Sequence, residues 1–127
     1  NIFLVIFQMV SLFPYQNLYF NELTGGIKGA YRKYETDYWG ESYRESILFI
    51  KKNIAVNKQK KYKIFLCGNE TAVSYFSDNM IQAKNYDDAD YVVCFTRYNL
   101  PAFIPSKKVL YTVTRQGVPL NFVFKMR

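Results

Sequence analysis

The chain contains no histidine. That removes the commonest general base and the commonest metal ligand. Ser-His-Asp and Cys-His catalysis are excluded with it, although a Ser-Lys arrangement is not. Cysteine is scarce: Cys67 and Cys94 are the two present, and they do not have a metal-ligand spacing. Both lie in apolar, strand-like runs and are read as buried thiols. A disulfide between them would need an oxidising compartment and close Cα atoms. No cofactor and no metal site is expected. No apolar run approaches the ~20 residues that cross a bilayer. The N-terminal run to Phe13 is broken by Gln8 and Ser11. It also lacks the basic flank and small-residue cleavage site of a signal peptide.

Acidic residues are few, 10 Asp and Glu against 17 Lys and Arg, for a net charge of +7. The excess favours anionic partners: phosphates, anionic lipid headgroups or nucleic acid. What is abundant is apolar and aromatic, at 50% and 19% of the residues, so disorder is excluded. At 127 residues the chain suits a single domain over 1–127 with one core.

Three regions follow. Residues 1–13 are read as a strand, or as the remnant following a membrane segment, which would make the chain a piece of something larger. Residues 14–57 form a helical region rich in tyrosine. A short helix over 15–23, with Leu18 and Phe20 or Leu23 inward, ends at Thr24-Gly25-Gly26. A basic loop over 25–37 carries Lys28, Arg32 and Lys33. Its glycine spacing matches neither GxGxxG nor GxxxxGK[ST], so a phosphate cradle is set aside. The best helix runs from about Tyr38 to Asn53, because Trp39, Tyr43, Ile47, Ile50 and Ile54 share one face. Asp37 is its N-cap, with a capping box at Ser42 and Glu45 as the rival start.

Residues 58–127 read as strand, helix, strand and hairpin. Strands are expected at Tyr62–Cys67, Met80–Ala83 and Asp90–Thr96, with a helix from Glu70 to Asp78, Val73 and Phe76 inward. Lys108–Arg115 and Val118–Lys125 flank Gln116-Gly117 as a hairpin. Pro119 places the last strand at an edge, or begins it. The fold class is therefore α/β, with α+β as the variant: a small mixed β-sheet flanked by two or three helices, ending in a β-hairpin.

Two groups of residues stand out chemically. Glu35 and Asp37 lie among Tyr34, Tyr38, Trp39 and Tyr43, an acid-aromatic set that could hold a sugar or a cation. The bland alternative is a helix cap beside core aromatics. Lys51, Lys52, Lys58, Lys60, Lys61 and Lys63 form a basic cluster, either a solvated face or a contact surface for anionic lipid or lipid-linked phosphate. No RNA- or DNA-binding motif is recognisable.

The stretch FPYQNLYFNELTGGIKGAYRKYETDYWGESYRES closely resembles a segment near the C-terminus of bacterial family 39 membrane glycosyltransferases. These are relatives of the dolichyl-phosphate-mannose protein mannosyltransferases. The shared pattern runs PYQ-x-x-YFNE-x-x-GG, a variable loop, then acid-x-DYWG-x-SYRE. It is matched by Pro14, Tyr15, Gln16, Tyr19, Phe20, Asn21, Glu22, Gly25 and Gly26, then by Glu35, Asp37, Tyr38, Trp39, Gly40, Ser42, Tyr43, Arg44 and Glu45. Ala89-Asp90-Tyr91-Val92-Val93 and Gly117-Val118-Pro119-Leu120 are similar to the tail of such proteins.

The resemblance implies a C-terminal accessory domain on the extracytoplasmic (periplasmic) face of the inner membrane. It would be non-catalytic by itself, in an enzyme using a polyprenyl-phosphate sugar. Its partner would be the membrane-embedded domain of the same parent, with anionic lipid or lipid-linked phosphate beside it. The acceptor- or partner-facing motif would be Asn21, Glu22, Glu35, Asp37, Tyr38, Trp39, Tyr43 and Arg44, unless these simply hold the fold. No catalytic residue is carried over. The alternative is an independent basic module for anionic lipid or nucleic acid.

Overall fold

A computed structural model describes residues 2–20, 22–34, 36–37, 40–106 and 108–127. Its strands are β1 (Tyr62–Cys67), β2 (Met80–Gln82), β3 (Tyr91–Phe95), β4 (Val109–Arg115) and β5 (Val118–Lys125). They form one mixed sheet in the order β2-β1-β3-β5-β4. β1 pairs parallel with β2 and β3, while β5 pairs antiparallel with β3 and β4. The protein is thus a small α/β fold with a C-terminal hairpin. Parallel strands are covered on both faces, which is why YKIFLC and DYVVCF are near-continuous apolar runs. Gln116 and Gly117 both take left-handed backbone, φ 50° and 79°, as a tight hairpin turn requires. Pro119 is the second residue of β5, opposite Thr114. β5 is an inner strand, and the edges are β2 and β4.

The main helix, Ser42–Asn53, lies across the sheet with Tyr43, Ile47 and Ile50 fully buried. They join Ile64, Leu66, Val93 and Val123 in the main core. The helix starts at Ser42 rather than near Tyr38. Glu45 falls in its first turn and Lys51 and Lys52 in its last, as the helix dipole prefers.

Several expectations fail for physical reasons. Residues 2–12 do not form a strand: Ile2–Ser11 is an α-helix, α1, and no residue in it is buried. An all-apolar run carries no period to separate the two states. A helix can satisfy its backbone alone, whereas a strand would need a sheet edge. The helix expected over 15–23 is two 3₁₀ turns, Gln16–Leu18 and Glu22–Thr24. Leu18 points inward, but Leu23 is exposed. The basic loop contains a short helix, α2 (Gly26–Ala30), with Ile27 and Ala30 buried. Gly29 permits its close seat, since a Cβ there would lie 1.8 Å from the Thr24 carbonyl oxygen. The main helix is accordingly α3. Glu70–Tyr75 is 3₁₀ rather than α, and Val73 faces out.

Cys67 and Cys94 are not two separate thiols. They are register partners on β1 and β3 with Cα atoms 4.8 Å apart, and they form a disulfide. Their 27-residue separation hides this adjacency from the sequence.

Candidate functional site

The two halves of the tyrosine-rich block meet at Glu45. Tyr15, thirty positions earlier, donates its hydroxyl to Glu45 Oε2 at 3.0 Å. Tyr111 of β4 donates to Oε1 at 2.9 Å. The Arg115 guanidinium lies 2.6 Å from Oε2, 4.7 Å over the Tyr15 ring, and donates through Nε to the Phe13 carbonyl at 3.1 Å. Burial pushes the Glu45 carboxyl up, but hydrogen bonds from Arg115, Tyr111 and Tyr15 outweigh it and hold it below its ordinary value. A carboxylate occupied by three donors is a poor proton acceptor and a good anchor. It ties α3, the hairpin and the segment after α1 together. Beside it, Pro14, Tyr15, Arg44, Leu48 and Tyr75 help line a cleft of about 300 Å³. Arg44 is exposed there.

The other motif residues divide sharply. Tyr43 is not surface-facing: it is 0% exposed. Its hydroxyl donates to the Cys67 carbonyl and accepts from Phe95 N–H. Asp37 is 2% exposed and caps α3 from five residues upstream, accepting from Glu41 N–H at 2.9 Å and from the Ser42 hydroxyl. Both hold the fold instead of presenting a ligand surface. Glu22 sits in its 3₁₀ turn. Asn21, Glu35, Tyr38 and Trp39 lie outside the described residues.

Burial raises the Asp37 carboxyl to about 6, against the lowering effect of its bonds to Ser42 and Glu41. The native state therefore holds this proton more tightly than the unfolded chain does. This contribution to stability is fully present below the ordinary carboxylate range. It is lost as pH rises from about 4 through about 6. Asp37→Asn keeps the acceptor and removes the charge. Urea titrations between pH 4 and 7 are expected to show this part of the slope gone, with native stability at pH 7 unchanged or raised. An unaltered slope would show that Asp37 titrates normally. Asp37→Ala is expected to lose about 1–2 kcal/mol, because the cap disappears.

The six lysines gather elsewhere. Lys51 and Lys52 end α3. Lys60 lies 5.2 Å over the Tyr62 ring, Lys61 donates to the Asp78 carbonyl, and Lys63 pairs with Asp88 at 2.7 Å. Lys58 is exposed in the connecting turn. The set surrounds the amino end of β1 and the last turn of α3, so it shares nothing with the motif cleft at the first turn.

Sequence reasoning missed Tyr111 and Arg115 as partners of Glu45. The one local signal was the period-two alternation of Tyr111, Val113 and Arg115 on β4. Among the described residues, no group of three or more Cys, Asp or Glu is placed to hold a metal. Among them, too, no helix is long and apolar enough to cross a membrane. No protein-family model matches the chain, and no curated protein or solved structure is significantly similar to it.

Proposed function

We propose that this chain is the extracytoplasmic C-terminal accessory domain of a polyprenyl-phosphate-sugar-dependent membrane glycosyltransferase, with no catalytic site of its own. The observation that carries this reading is α1. Ile2, Phe3, Ile6, Phe7 and Val10 are each more than half exposed, and the helix is apolar apart from Gln8 and Ser11. Such a helix belongs in hydrocarbon or inside a larger protein. Its foot is fastened to the body. Leu12 is buried with Tyr15, Leu18, Ile27 and Val113, and Ser11 Oγ accepts from Gln116 at 2.6 Å.

Two further features support it. Arg115 and Lys28 flank this foot, the latter passing within 3.6 Å of where a Cβ on Gly117 would sit. Lys28, which is exposed, could gain about 1 kcal/mol near an anionic leaflet, whereas Arg115 is already paired with Glu45. The Cys67–Cys94 disulfide suits an oxidising, extracytoplasmic compartment. Proposed partners are the membrane-embedded domain of the same parent and anionic lipid at the α1 foot.

The six lysines sit roughly 15–20 Å from that foot along α3 and β1. This exceeds the ~8 Å screening length of physiological salt. A leaflet entered by α1 is therefore out of their reach. The independent basic module also weakens, because Lys61 and Lys63 already have partners within the chain.

Deleting residues 14–127 from the membrane-embedded parent is expected to lower sugar transfer or the parent's assembly in the membrane. The readout is transfer of a labelled lipid-linked sugar in isolated membranes. Unchanged transfer by a parent that is still inserted and stable overturns the proposal.

A further inference from the structure

Strands β1 and β3 are parallel neighbours, and the chain leaves them toward opposite sides of the sheet, to β2 and to the β4–β5 hairpin. In open α/β sheets, ligands settle beyond the carboxyl ends of the strands at such a reversal. An open cavity of about 730 Å³ lies beside the carboxyl end of β3 and reaches Phe122 of β5. Thr96, Arg97, Tyr98 and Asn99, which directly follow β3, form one wall, and the segment from Tyr31 to Tyr34 forms another. Its charged lining among the described residues is cationic: Arg32, Lys33 and Arg97. Its aromatic lining includes Tyr34 and Tyr98, which are 58% and 65% exposed.

The backbone around the cavity is held in unusual conformations. Arg32, Tyr98 and Asn99 are left-handed, with φ of 65°, 53° and 54°. Each such non-glycine residue costs of order 1–2 kcal/mol and survives only where surrounding structure enforces it. Conformations of this kind concentrate at ligand sites. Here they aim a cation and an exposed ring into the same space. The Arg32 guanidinium lies 5.5 Å from the Tyr31 ring centre and the Arg97 guanidinium 4.5 Å from that of Tyr98. Guanidiniums held near rings present a planar fork of donors suited to phosphate oxygens.

We infer that this cavity binds an organic phosphate carrying a sugar or base ring. The phosphate meets Arg32, Lys33 and Arg97, and the ring lies against Tyr34 or Tyr98. No glycine-rich loop is needed, because side-chain cations take the place of a backbone cradle. The cavity shares no residue with α1 and the test contains no lipid. Failure here therefore leaves the membrane proposal standing, and the reverse also holds.

The test is calorimetric titration of the full chain with uridine monophosphate, glucose 1-phosphate and inorganic phosphate. At least one ring-bearing phosphate is expected to bind at least about tenfold more tightly than inorganic phosphate. The arm that binds tells a nucleotide from a sugar phosphate. R32Q/K33Q is expected to weaken that binding by about tenfold or more. Tyr98→Asn, which tolerates the left-handed backbone, is expected to bring the ring-bearing ligand toward the affinity of inorganic phosphate. Thermal melts check that each variant is folded. No saturable binding, equal affinity for inorganic phosphate, or folded variants that bind like the parent chain would each overturn the assignment.

Discussion

Tyr43→Phe is expected to destabilise the protein by about 2–4 kcal/mol, a large loss for the removal of one oxygen atom. The Tyr43 hydroxyl is completely buried, donates to the Cys67 carbonyl and accepts the Phe95 N–H. Phenylalanine fills the same space but leaves two buried backbone groups without this partner. Each such group costs about 1–3 kcal/mol when water cannot replace the lost bond. The two contacts lie at the carboxyl ends of β1 and β3, so the hydroxyl stitches both parallel strands to α3. Burial also pushes the phenol well above its usual range, so the donor proton stays in place throughout the accessible pH range. For a chain of this size the melting temperature should fall by roughly 6–15 °C, followed by far-ultraviolet circular dichroism. A fall of less than about 2 °C would mean that water reaches these groups. Tyr43→Ala removes the ring as well, at roughly 3–5 kcal/mol, and is expected to leave the chain largely unfolded.

The second large effect concerns α1. The parent chain is expected to float with phosphatidylcholine–phosphatidylglycerol vesicles, and the double substitution Phe3→Asp with Phe7→Asp is expected to abolish that association. Ten residues at 1.5 Å each reach about 15 Å, half the hydrocarbon thickness. Both positions would thus enter apolar depth. An aspartate at the centre of a membrane helix costs about 2.5–3.5 kcal/mol on insertion scales. Two of them, even at shallower depth, should lower partitioning by about a hundredfold or more. Both side chains are exposed, at 79% and 72%, so the folded body should melt as before. Neutralising Lys58, Lys60 and Lys61 should change binding little. A parent chain that ignores vesicles, or one that hides α1 in a dimer, would remove the membrane from the account.

Much of the sheet was legible. YKIFLC and DYVVCF are short, β-branched and bounded by turn residues, and Gln116-Gly117 supplies the hairpin geometry. The buried face of α3 was legible because Tyr43, Ile47 and Ile50 recur at helical spacing. Asp37 was legible as an acceptor at the mouth of α3, because its bonds reach within five residues, but the N-cap position itself falls at Glu41. Features resting on distant partners were not. Glu45 looked like half of a capping box, yet its partners sit 30, 66 and 70 positions away. The disulfide depends on strand register. The left-handed pair Tyr98-Asn99 carries no glycine to announce it. For α1, the decisive fact is the absence of a covering layer, which lies outside any window of the chain.

The opposed directions of α3 and β1 have one more consequence. Chain reversals collect at two poles, one bearing the greasy helix and the open cavity, the other the lysines. If a lipid leaflet claims the first pole, the molecule stands upright like a post in a floor. The cavity then lies near ground level, within reach of phosphates tethered to lipid, and the cationic crown is lifted into the water above.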